Sequence, residues 1–515
     1  MTEIPVIKKE NGIWSLFVDG KPFTMLSAEL HNSSASSTEY MEQQVWPYLR
    51  GLNVNSVLLP VYWEMIETVR GEFDFSLVDQ LIRQARRERV KLGILWFGLW
   101  KNGISSYVPA WMKQDQETYF RARDREGAAM DVISPFCQAA VHADAAAFGR
   151  LMEHLREIDG EEHTVILVQV ENEIGLLGSD MDYSEVAREE YQKEIPQSIA
   201  ALYDKSGTWR EAFQEEAPEV FMEYTYVSAV EKIAYTGKTQ YPLPMYVNAW
   251  IEKFPWRPGG YPSGGPIARF LPLWKALAPH ISACVPDIYT ANTKEVCREY
   301  AGEENPLLIP EHRRDRKNIS ALLYAIGKYQ ALCFSPFGAE DFMMPLEQRT
   351  GIANPVVMKI LNIDMKAWQC DGTGEWLGCA YQLLGKALDT IYRYRTKGKV
   401  HSFIRENEYE KGVVLSLAAC DVRIDYLDSG EDTPKAAGII LEGEENELYM
   451  IGVSCRYGIL AKKEEHRKLG ILEYSEGVFE EDQYIRKRIL NGDERYCMMI
   501  LDNPQLQYIK WYWYE

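Results

Sequence analysis

Several things are missing from this chain, and each absence narrows what it does. No H-E-x-x-H occurs and the eight histidines are scattered, so nothing has zinc-ligand spacing and no metal is expected. No G-x-S-x-G nucleophile elbow is present. The loop PWRPGGYPSGGP (255–266) is rich in glycine and proline but lacks the Gly-Lys-Ser/Thr ending of a phosphate loop. It reads as a rigid wall with Trp256 and Tyr261 exposed on it. DGTGEWLG (371–378) has the wrong spacing for a dinucleotide fingerprint and follows no strand, so no cofactor is expected. No segment approaches the roughly 18 consecutive apolar residues of a membrane span. The opening MTEIPVIKKENGIW has no apolar h-region of the kind a secretory signal needs. Cysteines number nine, an odd count with no C-x-x-C pair, which reads as reduced and mostly buried thiols. Together these features lead to the expectation of a cytoplasmic protein.

What is present begins with charge. The net charge of −20 argues against nucleic acid or an anionic membrane as a partner, because the field of the whole molecule repels both. Aromatic residues make up 12% of the chain, enough to offer flat apolar faces to a neutral ligand as well as to fill a large core. At 515 residues the chain exceeds what one core usually supports, so more than one domain is expected.

Eight short apolar runs punctuate the first part: FTMLSAEL (23–30), VNSVLLPVYW (54–63), VKLGILWFGLW (90–100), TVILVQVENEIG (164–175), PMYVNAWIE (244–252), ISACVPDIY (281–289), NPLLIPEHR (305–313) and QALCFSPFG (330–338). Amphipathic stretches such as 76–90 and 143–159 lie between them. In the first, Leu77, Ile82 and Ala85 fall near one face. Buried strands alternating with helices imply parallel β-α units, and eight of them suggest a closed (β/α)8 TIM barrel over residues 1–395. An open doubly wound sheet is the competing arrangement. TGEWLGCAYQLLGKALDTIYRYR reads as the last barrel helix. From 396 to 515 short strands separated by turn signals such as Asn491-Gly492 predict an all-β sandwich domain. The long connection 176–243 is expected to overhang the barrel mouth or reach a neighbouring subunit, so a homo-oligomer is compatible with the sequence.

A barrel of this kind carries its chemistry where its strands end. Polar and aromatic residues gather there: Glu29, His31 and Asn32 at the first run, Tyr62, Trp63, Glu64 and Glu67 at the second, and Trp96 and Trp100 at the third. Asn172 and Glu173 follow at the fourth, Asn248 and Trp250 at the fifth, Asp287 and Tyr289 at the sixth and Glu311 at the seventh. With metal, phosphate and serine chemistry removed, carboxylates remain. Hydrolysis of a glycosidic bond needs two of them, one to protonate the departing oxygen and one to attack or activate water. Strands four and seven lie across the mouth from each other, which makes Glu173 and Glu311 the best pair. Asn172 fits beside the reacting carbon as a partner for a sugar hydroxyl. Glu171 is read as a structural hydrogen-bond acceptor.

QVENEIG followed much later by NPLLIPEHR resembles the clan A glycoside hydrolases. More narrowly, AELHNSS, PVYWEMIETVRGEFDFS, VQVENEIG, VNAWIEKFPWRPGGYPSGGP, PDIY, NPLLIPEHRRD and FSPFG, in that order, resemble the bacterial β-galactosidases of glycoside hydrolase family 35, in the branch with a C-terminal β-domain. The resemblance implies a retaining exo-β-galactosidase acting on small oligosaccharides, with Glu173 as acid/base and Glu311 as nucleophile. It also implies that Tyr289 hydrogen-bonds Glu311, that Glu67 contacts sugar hydroxyls, and that Tyr62 and Trp250 shape the galactose subsite. Ile66-Glu67-Thr68, where many relatives read H-E-P, and His312 depart from the pattern near the sugar subsite. The same mechanism on a β-glucoside, β-fucoside or α-L-arabinoside is the second reading. A catalytically silent carbohydrate-binding barrel is the third.

Overall fold

A computed structural model describes residues 3–253, 256–349, 358–359, 364–428, 430, 433–444, 446–463 and 465–515. Each of the eight apolar runs forms a strand: β1 (Met25–Glu29), β2 (Ser56–Tyr62), β3 (Lys91–Lys101), β4 (Val165–Asn172), β5 (Met245–Trp250), β6 (Ala283–Asp287), β7 (Ile309–His312) and β8 (Cys333–Pro336). They pair side by side in the order β6-β5-β4-β3-β2-β1-β8-β7. Every pairing is parallel. The ring closes between β6 and β7, where Ile288 N–H donates to Glu311 O and Arg313 N–H donates to Ile288 O. This is the eight-stranded barrel rather than an open sheet.

The pattern follows from burial on two sides. All seven residues of β2 and all eight of β4 are buried, because the helices cover the outer face and the barrel interior is packed. The helices Ser76–Glu88, Gln138–Asp159, Ala217–Gln240, Leu271–Leu277, Thr293–Tyr300 and Lys317–Tyr329 form that outer layer. In Ser76–Glu88, Ile82 and Ala85 are buried and Leu77 is half-buried. The connection 176–243 proves to contain a barrel helix, since Ala217–Gln240 packs along Gln138–Asp159. The segment expected as one last helix is two, Thr373–Gly385 and Leu388–Thr396. Gly385 ends the first, in keeping with its poor helix propensity. A three-stranded antiparallel sheet, Val6–Glu10, Ile13–Val18 and Lys21–Phe23, precedes the barrel and has no counterpart among the sequence expectations.

Beyond Thr396 the regular structure among the described residues is all β apart from a single helical turn, Glu494–Cys497. One sheet has six strands and another four. Side chains from both, including Val422, Ile424, Ile440, Met450, Tyr457 and Ile509, share one apolar core, which makes the pair a sandwich. The nine cysteines are unpaired, and seven of them are buried.

Candidate active site

The fourth strand sets the site. Its last residues, Glu171-Asn172-Glu173, lead off the barrel, and both glutamates take left-handed backbone, φ 61° and 43°. Non-glycine residues pay for that conformation in steric strain, so it persists only where side-chain contacts hold it. Here it breaks the period-two alternation of the strand. Glu171 turns outward to the helical layer, where its carboxylate accepts from Leu99 N–H and Trp100 N–H. Asp144 on Gln138–Asp159 shares Leu99 N–H and accepts from Trp96 Nε1. Burial pushes both carboxyls up, Glu171 strongly and with the Asp144 charge adding to it, while the hydrogen bond with Glu171 draws Asp144 back down. Glu171 is therefore the structural acceptor that its sequence position suggested.

Glu173 turns the other way, into the mouth. Its carboxylate, that of Glu311 from β7 and that of Asp287 from β6 each offer an oxygen within 4.8 Å of the others. All three side chains are buried. Their environments differ. Three donors converge on Glu311: Tyr289 Oη at 2.7 Å on Oε2, with Asn172 Nδ2 at 3.3 Å and Asn248 Nδ2 at 3.4 Å on Oε1. Glu173 instead is pushed up to about 7, first by burial and then by the charge of Glu311, with Lys101 opposing. Asp287 lies well above the usual carboxylate range, from burial and then Glu311 and Glu173.

Asn248 ties the two halves together. Its Oδ1 accepts from Glu173 N–H at 3.0 Å and its Nδ2 donates to Asp287 at 2.7 Å. Because a backbone N–H can only donate, the amide of Asn248 must present its NH2 to the acids. Tyr289 stacks on Trp368, centroids 5.1 Å apart and planes 4° from parallel, and Phe337 meets Trp368 edge-on. Lys101 closes β3 inside the mouth and donates to Asn172 Oδ1 at 2.7 Å. Lys253, held down to about 8 by burial, lies 4.2 Å above the ring of half-buried Trp250. Glu29, at the end of β1, is buried and makes no hydrogen bond among the described residues. Burial and then Glu311 push its carboxyl well up.

The same three carboxylates form the one grouping with metal-site spacing among the described residues. The positive charge of Lys101 and Lys253 acts on Glu173 within this cluster.

The structure thus brings together Glu173, Glu311, Asn172 and Tyr289. Tyr62 lies at the second strand's end against Phe97 and Tyr107. Glu67 accepts from Trp63 Nε1 on one oxygen and from Gly71 N–H on the other, and braces the loop after β2. Trp96 and Trp100, expected at the mouth, face the helical layer, packing on Phe148 and Tyr226. Tyr261, expected exposed, is only 1% exposed and donates to Glu219, whereas Trp256 is 67% exposed. Pro255 of the same loop lies outside the described residues. Glu29, Asn248 and Asp287 were visible at strand ends without a role. Lys101 and Trp368 were missed. The signal for Lys101 is a lysine that closes a strand after nine residues, 92–100, without a charge.

Residues 15–253 match the family model of glycosyl hydrolases family 35, and residues 377–500 match a domain of unknown function, DUF5597. A β-galactosidase from Xanthomonas manihotis is 28% identical over 182 residues, 34% of this chain. That match spans 28% of the relative's length. A β-galactosidase structure from Bacillus circulans sp. alkalophilus is similar at 13% identity and a TM-score of 0.49, covering 72% of this chain and 57% of that one. One from the psychrophilic Marinomonas ef1 is similar at 11% identity and 0.49, covering 71% and 60%. The catalytic domain of β-amylase from Paenibacillus polymyxa is similar at 10% identity and 0.48, covering 67% and 98%.

Proposed function

We propose, from the match of residues 15–253 to the family model of glycosyl hydrolases family 35, that this chain is a retaining β-galactosidase that removes terminal galactose from small oligosaccharides by double displacement. One observation carries the reading: Glu173 and Glu311, from strands on opposite sides of the mouth, bring carboxylate oxygens within 4.8 Å of each other. Retaining enzymes need their two carboxyls about 5 Å apart, whereas inverting ones leave room for a water between them.

In the first step Glu311 attacks the anomeric carbon while protonated Glu173 gives its proton to the departing glycosidic oxygen. The aglycone leaves as an alcohol and the sugar is held as an ester of Glu311. In the second step Glu173, now a carboxylate, takes a proton from water as that water attacks the same carbon and frees Glu311. Tyr289 and Asn248 keep the nucleophile aimed. The reach of Asn172 toward Glu311 suits a contact to the hydroxyl beside the reacting carbon.

Galactose is supported by the name of the Xanthomonas manihotis relative. A different glycone is the second reading, and Glu67 favours it, because its oxygens are turned onto Trp63 and Gly71. A panel of chromogenic glycosides separates the two: turnover of another glycoside with none of the β-galactoside removes galactose. For the mechanism, Glu311→Gly should abolish turnover, with partial recovery in azide, which supplies an external nucleophile. Proton NMR of the first-formed sugar should show the β-anomer, and initial α-anomer would refute retention.

A further inference from the structure

A lysine ammonium has three donors and no acceptor. Whatever atom of Asn172 faces Lys101 at 2.7 Å must therefore be the oxygen. This settles the amide: its NH2 faces the opposite way, and there it meets Glu311 Oε1 at 3.3 Å. The two residues are also register partners across β3 and β4, so the backbone places the ammonium beside the amide. Lys101 is only 5% exposed, and its ammonium sits 4.9 Å over the Phe97 ring, so it has little freedom to swing away. It stands among acids, acting on both Glu29 and Glu173.

We propose that Lys101 is a positioning residue of the hydrolytic reaction, one that locks the Asn172 amide with its NH2 toward Glu311 and sets a fixed positive charge beside Glu173. The proposal rests on the retaining reading above. The two tasks answer a conflict within the site. Glu173 must hold a proton in the first step and release it before the second can be catalysed. Burial and the charge of Glu311 both favour the protonated form. The groups that face Glu173 are Glu29, Lys101, Lys253, Asp287, Tyr289 and Glu311. Lys101 opposes the acids first, with the hydrogen bond from Asp287 and then Lys253 adding to it, and Lys253 is itself pulled toward neutrality by burial. Without Lys101 the free enzyme's Glu173 would hold its proton more tightly. The amide of Asn172 would also be free to turn its oxygen toward Glu311, replacing an attraction with a repulsion.

Two substitutions separate the tasks. Lys101→Gln removes the charge but keeps a donor for Asn172 Oδ1, while Lys101→Met removes both. The first readout is NMR titration of the full-length chain labelled with 13Cδ-glutamate, the Glu173 signal being identified by its loss in Glu173→Gln. In both variants that signal should titrate at higher pH than in the native chain. The second readout is steady-state hydrolysis. Lys101→Met should lower kcat by about tenfold or more with a smaller change in KM. Lys101→Gln should lose less, and the alkaline limb of both should move upward. Lys101→Met combined with Asn172→Ala should lose less than the product of the two single losses, because one acts through the other. A Glu173 titration that stays in place in both variants, or losses that multiply in full, overturns the proposal. If the native chain hydrolyses no glycoside while the titration still moves, the enzyme reading fails and the electrostatic role of Lys101 stands.

Discussion

The hydroxyl of Tyr289 donates to Oε2 of Glu311 across 2.7 Å, on the carboxylate oxygen opposite the one that faces Asn172 and Asn248. A single tyrosine thus governs one side of the nucleophile, and its ring is held flat against Trp368. Tyr289→Phe keeps the stack and deletes only the donor. A hydrogen bond to a charged group contributes about 1.5–3 kcal/mol. The variant should therefore lose roughly ten- to a hundredfold in kcat, read from steady-state rates on an activated glycoside. A loss below twofold would show that the phenol does not act on the nucleophile.

Glu173 acts as an acid only while protonated, and burial with the Glu311 charge places it at about 7. Activity in the first step should be retained below that value and fall as pH rises through it. Glu173→Gln should abolish this alkaline limb and should slow substrates with poor leaving groups most, since those depend on the proton. The measurement is kcat/KM against pH for two aglycones of different acidity. An unchanged limb in Glu173→Gln would assign it to another group.

Behind the site, Asp144 and Glu171 are both buried and both raised. Between their unfolded values, near about 4, and their raised folded values, the folded chain binds more protons than the unfolded one. The stability they contribute is therefore fully present below the unfolded values and is lost as pH rises through the folded ones. Glu171→Gln replaces the protonated carboxyl by an amide that needs no proton. Its melting temperature should decline less between pH 5 and pH 9 (about the span above the unfolded values) than that of the native chain. Parallel declines would mean that the pair shares no proton in the fold.

Gly98 lies where these carboxyls cross β3. A methyl group there would meet Trp96 Nε1, Glu171 Oε1 and Asp144 Oδ2, all too close for a carbon. Gly98→Ala should cost about 1–3 kcal/mol through overpacking. It should also lower kcat, since displaced Glu171 pulls on Asn172 and Glu173. Thermal melts and rates on the same preparation check both. Native stability in the variant would show that the carboxyls move aside freely.

The eight barrel strands were legible because a strand covered on both faces must be apolar along its whole length, and nothing else in the chain reads that way. Tyr289 and the two glutamates were legible because polar residues closing such strands have few places to go except the mouth. Legibility failed where a local backbone turn redirects a side chain. Glu171 and Glu173 sit two apart and so should share a face, yet positive φ at both sends one to the helices and the other to the cavity. Trp96 and Trp100 occupy the same strand as Lys101, but only the lysine faces inward. Glu67 follows β2 by a helical turn, and that turn and the loop after it each donate to one of its oxygens.

The linear chain by itself determined the barrel, the sandwich that follows it and the presence of carboxylates where the strands end, because burial periodicity and chemical type are properties of short segments. Which carboxyl keeps its proton, which way Asn172 and Asn248 turn their amides, and that Lys101 belongs among them were decided only by the tertiary structure. Those properties depend on Coulombic fields and donor directions between residues up to some 139 positions apart in sequence, as from Asn172 to Glu311, and no local pattern records them.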